Sequence, residues 1–177
     1  YGTQKIKQLE LEKGPIGVQI FDNRPFAVSE AAKLAEDSGA FLIDINMGCP
    51  VKKISRKGGG SALINDRLLA VELVKRVSNA VKVPVTVKTR LGWENKEENI
   101  EGFLLSLQDA GAEMITIHGR TRKEGFSGKS DWEMIGKIKE LLEIPVIANG
   151  DIKNPKDAFN CFKKTNADGL MIGRGIL

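Results

Sequence analysis

Leu42-Ile43-Asp44-Ile45-Asn46-Met47-Gly48-Cys49-Pro50 joins an apolar run to a tight polar turn. Leu42 to Asn46 is a short apolar, β-branched run that reads as a strand, and Gly48 with Pro50 ends it in a tight turn. The same pattern recurs on either side. Strands are expected at Ile16 to Phe21, Val83 to Lys88, Met114 to His118, Pro145 to Ala148 and Gly169 to Ile172, which with Leu42 to Asn46 makes six.

Between the strands lie stretches of helical spacing with recognisable starts. Pro25 leads into Phe26 to Ser38; Asn65 and Asp66 precede Arg67 to Asn79; Asn95, Glu97 and Glu98 precede Ile100 to Ala110. Ser130 with Glu133 reads as a capping box opening a helix to Leu142, and Asn154-Pro155 gives a cap and a first-turn proline before Lys156 to Lys164. Near-continuous apolar strands alternating with single helices mean a parallel sheet covered by helices, either doubly wound or closed into a barrel.

The strand ends favour the barrel. Polar and glycine-rich residues follow them at Gly48-Cys49, Arg90 to Gly92, Gly119 to Arg122, Asn149 to Asp151 and Gly173-Arg174, where barrel enzymes build their sites. A doubly wound sheet gathers its ligand at one switch point instead, and no Gly-x-Gly-x-x-Gly follows the first strand. A complete barrel has eight strands and about 250 residues. Six strands in 177 residues therefore predict an incomplete (β/α)8 TIM barrel. Two N-terminal strands and whatever follows the eighth strand are the expected missing parts.

With 41% apolar and 28% charged residues the composition is that of an ordered globular domain, not a disordered chain. No apolar run reaches the roughly 18 residues of a membrane span, and Tyr1 to Glu12 is too polar for a signal peptide. A cytoplasmic setting without membrane contact is the expectation. Cys49 and Cys161 are the two cysteines, in unlike contexts, so reduced thiols are expected in place of a disulfide. The net charge of +4 is compatible with a polyanionic partner but does not by itself imply one. No metal site is expected.

Cys49 should project from a tight turn at the strand ends. A thiol there can donate a proton, act as a nucleophile, or do neither. Cys161, in Ala158-Phe159-Asn160-Cys161-Phe162, reads as a core residue. Lys88 ends the strand Val83-Pro84-Val85-Thr86-Val87-Lys88, where its charge can stabilise an anion or simply snorkel to water. His118, the only histidine, ends Ile115-Thr116-Ile117-His118 at the same level. Gln19, a polar residue inside Gly17-Val18-Gln19-Ile20, can bond a planar heterocycle. Asn149-Gly150-Asp151 and Gly173-Arg174-Gly175 end the last two strands, where barrels often bind phosphate. Lys52, Lys53, Arg56 and Lys57, followed by Gly58-Gly59-Gly60, read as a solvated, mobile loop. With Arg90, Arg120, Arg122, Lys123 and Lys129 they also suggest an electropositive rim suited to a polyanion.

Taken in order, these elements resemble the tRNA-dihydrouridine synthases, particularly the bacterial type B enzymes. The resemblance rests on Val18-Gln19-Ile20, Asp44 to Pro50, Val87-Lys88-Thr89-Arg90-Leu91-Gly92-Trp93, Ile117 to Arg122, Asn149 to Ile152 and Ile172 to Gly175. It implies reduction of the C5=C6 bond of uridines in tRNA, using FMN re-reduced by NADPH, with hydride passing from flavin N5 to C6. It further implies that Cys49 protonates C5, that Gln19, Lys88, His118, Asn149, Gly150, Asp151, Gly173 and Arg174 hold FMN, and that Asn46 contacts the uracil. Lys53, Arg56, Arg90 and Arg122 would meet the RNA. Family members also have a first strand whose turn contacts FMN and a C-terminal helical domain that grips tRNA. Both fall outside this sequence, which is thus expected to be a partial catalytic barrel that binds FMN weakly or not at all and self-associates through exposed sheet edges. Two other readings remain: an FMN-dependent dihydropyrimidine or dihydroorotate dehydrogenase acting on a free base, and a non-catalytic RNA-binding barrel. The basic rim favours RNA over the free base.

Overall fold

The computed structural model describes residues 14–95 and 99–176, and for Lys52, Ile54 and Ile176 only the backbone. Its strands are β1 (Gly17–Ile20), β2 (Leu42–Met47), β3 (Val85–Arg90), β4 (Met114–His118), β5 (Val146–Asn149) and β6 (Gly169–Met171). All neighbours are parallel, and the spatial order β1-β2-β3-β4-β5-β6 follows the chain. A doubly wound sheet would reverse its order at a switch point. The unreversed order is that of a barrel wall, here open, with β1 and β6 each paired on one side among the described residues.

The helices are α1 (Pro25–Asp37), α2 (Lys52–Ser55), α3 (Arg67–Ser78), α4 (Ile100–Asp109), α5 (Trp132–Leu141) and α6 (Pro155–Thr165), with 3-10 turns at Gly60–Ile64 and Arg174–Ile176. Asp66, Asn99 and Asn154 cap α3, α4 and α6 by accepting the backbone N–H of Leu69, Gly102 and Asp157. The expected capping box at α5 is displaced by one residue. Asp131 accepts from Met134 N at 2.9 Å, while Ser130 is drawn off to β5, its hydroxyl donating to Asn149 O. Glu97 and Glu98 lie outside the described residues.

β3 runs two residues beyond the expected Lys88. Thr89 and Arg90 read as a polar loop, but they pair with Ile117 and His118 and are buried. The loop after β2 also departs from its solvated reading. Lys53, Arg56 and Lys57 are exposed, yet Ser55 and Gly59 to Ser61 are buried, and Ser61 N donates to Cys49 O at 3.1 Å. Glycines with positive φ at positions 58 and 60 let the chain double back to make that bond.

The sheet has two chemically distinct faces because side chains alternate along a strand. One face carries Ile43, Ile45, Met47, Val85, Val87, Ile115, Ile117, Val146 and Ala148, all buried in one core with Ala32 of α1, Leu73 and Val77 of α3, Phe103 and Leu107 of α4, Ile135 and Ile138 of α5 and Cys161 of α6. Cys161 is thus the core residue expected, and burial pushes its thiol up to about 11. The opposite face, the barrel interior, carries Gln19, Asp44, Asn46, Thr86, Lys88, Thr116, His118 and Asn149 in matched register. The hydroxyl of Thr116 on that face is buried with no hydrogen-bond partner among the described residues. The apolar face holds the fold together, and the polar face is left for a ligand.

Candidate active site

A cavity of about 820 Å³ opens at the C-terminal strand ends. Of the fourteen residues expected to react or to touch the cofactor or RNA, eleven line it: Gln19 of β1, Asn46 of β2 and Cys49 after it, Lys88 and Arg90 of β3, His118 of β4, Asn149, Gly150 and Asp151 at and after the end of β5, and Gly173 and Arg174 after β6. Three do not. Lys53 lines a separate cavity of about 600 Å³ beside Asp22, Arg24 and Lys57, Arg56 points to solvent, and the guanidinium of Arg122 lies 4.4 Å from the centroid of the Trp93 ring.

The Cys49 turn is held from three directions. Asn46 Oδ1 accepts from Gly48 N at 3.1 Å and from Cys49 N at 2.9 Å, Arg90 Nε donates to Gly48 O at 2.8 Å, and Ser61 N holds the Cys49 carbonyl. Gly48 packs closely on β3 here. A Cβ at that position would come 3.3 Å from the backbone carbonyl carbon of Thr89, a tight approach that a larger residue could make only if β3 gave way by a few tenths of an ångström.

Arg90 and Arg120, expected on an exposed rim, are instead 2% and 3% exposed. Arg90 Nη1 donates to the carbonyls of Thr121 and Gly125, and Arg120 donates to those of Ser127 and Gly128 and to both oxygens of Asp151 at 2.9 Å. Their charges are used to fold the loop after β4 over the cavity, because a guanidinium has enough donors to gather several carbonyls at once. Asp151 accepts a further bond from Ser130 N at 2.7 Å. Burial works to raise its pKa, but that N–H and Arg120 outweigh it, and the carboxyl is held below its ordinary value.

His118 is held neutral. Burial first, then the charges of Arg90, Lys88 and Arg120, push its pKa down to about 3. Arg120 Nη1 lies 3.3 Å from His118 Nε2, and a guanidinium can only donate, so Nε2 accepts and the ring proton is on Nδ1. Burial, reinforced by Arg90, also lowers the pKa of Lys88, with Asp44 and Cys49 opposing. The two shifts share their causes, burial first and the neighbouring positive charge of Arg90 second, and an anionic ligand would relieve that charge.

Sequence reasoning passed over Asp44 and Phe126. Asp44 is 8% exposed on the inner face, and burial raises its pKa against hydrogen bonds from Gln19 and Thr86 and the charge of Lys88. Its signal was present, as a carboxylate inside an apolar strand at the same parity as Asn46. Phe126, 56% exposed, stands at the cavity with Arg174 3.8 Å over its ring and His118 6.3 Å away. Nothing local marks it, since Arg120 brings it there by gripping residues 127 and 128.

The barrel-ordered sheet, the cationic cavity at its strand ends and the cysteine turn beside it define an α/β-barrel protein with a candidate site whose charge suits an anion. The chain belongs to the dihydrouridine synthase (Dus) family, whose model matches residues 2–177. It is 51% identical over 173 residues to a Synechocystis protein described as "Probable tRNA-dihydrouridine synthase 1", covering 98% of this chain and 49% of that relative. It is 46% identical to a "Probable tRNA-dihydrouridine synthase" of Rickettsia bellii, covering 97% and 53%, and 42% identical to "tRNA-dihydrouridine synthase B" of Vibrio parahaemolyticus, covering 97% and 54%. The chain spans about half the length of the curated relatives it matches. Among solved structures, that of "a putative lyase/mutase from Burkholderia cenocepacia J2315" superposes with a TM-score of 0.69 at 19% identity, over 98% of this chain and 60% of that one, a likeness of fold alone.

Proposed function

We propose that the intact protein reduces uridine in tRNA to 5,6-dihydrouridine, with FMN as its bound redox cofactor and NADPH as the reductant. The observation that carries this reading is the Cys49 turn, pinned by Asn46, Arg90 and Ser61 at the edge of one cationic cavity in a member of this family. No helix among the described residues is long and apolar enough to cross a membrane, and a soluble, cytoplasmic setting accords with a tRNA substrate.

The residues present fit a flavin mononucleotide. A cavity of about 820 Å³ falls in the range of cofactor sites. Burial, with the charges of Arg90, Lys88 and Arg120 added to it, keeps His118 neutral, and those same cations suit both a phosphate and an anionic ring. Gly173 has open space where a Cβ would stand, so its backbone is open to a phosphate beside Arg174. Backbone N–H groups of the Asn149-Gly150-Asp151 turn and of Gly173, with the Arg174 guanidinium, would hold the phosphate end, the Asp151 carboxylate staying with Arg120, and Gln19, Lys88 and His118 would hold the ring.

When bound, the flavin supplies the hydride that adds to C6 of the uracil. Asn46 positions the base, and Cys49 Sγ–H delivers a proton to C5. Lys88 keeps a cation beside the ring as negative charge passes through the site. A uridine reaches such a cavity only after leaving its stack. Lys53 and Arg56, outside the cavity and exposed, together with Arg122, would meet the flanking phosphates, which favours RNA over a free base.

The test is mass spectrometry of tRNA nucleosides from cells lacking the gene, complemented with wild type or Cys49→Ala. Loss of an acid group is expected to lower dihydrouridine formation by about 10²- to 10⁴-fold. The purified intact variant should still accept electrons from NADPH. Full restoration of dihydrouridine by Cys49→Ala would instead favour a non-catalytic RNA-binding role.

A further inference from the structure

We propose that Asp44 is a positioning residue that sets the orientation of two side-chain amides, Gln19 and Asn46, and through them holds the Cys49 turn. Hydrogen bonds link these groups into one continuous chain. Thr86 Oγ1 donates to Asp44 Oδ1 at 2.7 Å, and Gln19 Nε2 donates to Asp44 Oδ2 at 2.6 Å. Asn46 Nδ2 then donates to Gln19 Oε1 at 2.7 Å, and Asn46 Oδ1 accepts the N–H groups of Gly48 and Cys49. The register explains why these groups meet, since Gln19 and Thr86 flank Asp44 on adjacent strands and Asn46 lies two residues along the same face.

An amide can be turned end for end with little change of shape, so its orientation has to come from its neighbours. Here both ends of the chain are unambiguous. A carboxylate only accepts, and a backbone N–H only donates. Between them there is one arrangement for the two amides in which every bond has a donor and an acceptor, and it is the one observed. Asp44 therefore acts on Cys49 without touching it.

The same arrangement fixes what this corner shows a ligand. Each NH2 group uses one hydrogen in the chain and keeps the other, and Gln19 and Asn46 both line the cavity. A planar heterocycle that reached those two hydrogens would be held through its acceptor atoms. Reversed amides would offer oxygens instead.

The experiment uses the intact protein and reads hydrogen–deuterium exchange at the Gly48 and Cys49 amides. It needs neither RNA nor flavin, so its result and that of the proposed function stand or fall separately. Gln19→Glu sets a second carboxylate against Asp44; the repulsion pushes away the side chain that accepts from Asn46, and exchange at the two amides is expected to rise on the order of tenfold. Adding Asp44→Asn gives the introduced carboxylate a donor on one side and frees its other oxygen for Asn46. Protection should return toward wild type, undoing most of the roughly tenfold rise, because the two residues are in direct contact and their substitutions compensate instead of adding. Asp44→Leu alone, which removes the acceptor without adding charge, should raise exchange at the same two amides and leave those of Ile115 and Ile117 unmoved. Equal exchange at Cys49 in Gln19→Glu and the double variant, or no change in any variant, would overturn the proposal.

Discussion

His118 carries the strongest pH signature of any residue in the cavity. Its folded pKa of about 3 lies far below the ordinary imidazole value of 6.5, because burial and the charges of Arg90, Lys88 and Arg120 oppose a second proton. Between those two values the unfolded chain binds a proton that the folded protein does not, so stability falls as pH drops below 6.5. From pH 7 to pH 5 this one group is expected to remove about 2 kcal/mol. Urea unfolding of wild type and His118→Asn at both pH values checks it, since the variant should lack that share of the loss. At this scale Cys49, Lys88, His118 and Gln19 were legible because polar residues at the ends of apolar strands stand out. Arg90 and Arg120 were legible as cations but not as buried ones. A guanidinium facing solvent and one gathering several carbonyls leave the same mark in a sequence.

At the scale of elements, the start of α5 offers a direct test. Asp131, not Ser130, bonds the first-turn N–H of the helix, so Asp131→Ala should cost about 1 kcal/mol in chemical denaturation. Ser130→Ala should cost less, because the bond that Ser130 makes to Asp151 comes from its backbone N–H and survives. The apolar strand runs and the caps Asp66 and Asn154 were readable because each is a local pattern. The capping box at Ser130 misled because Ser130 and Asp131 both satisfy the local rule, and the choice between them is made by β5 and Asp151. The end of β3 was missed for a similar reason. Thr89 and Arg90 are polar, and only their pairing with β4 makes them strand.

The whole molecule is an open parallel wall whose first and last strands each have a free side among the described residues. Unpaired strand edges seek partners. This 177-residue chain, expressed alone, is therefore expected to associate, and a monodisperse monomer by light scattering would contradict that. The barrel order was legible from alternating strands and helices, but the division of labour between the two sheet faces needed the register. That division has an evolutionary consequence. Neighbouring residues of one strand answer to different selection: Ile43, Ile45 and Ile117 to packing, Thr86, Thr116 and Ile147 to whatever lies inside the wall. Substitutions on the inner face open no hole between sheet and helices, so there the cost of a change is set by the hydrogen bonds it breaks and not by lost packing.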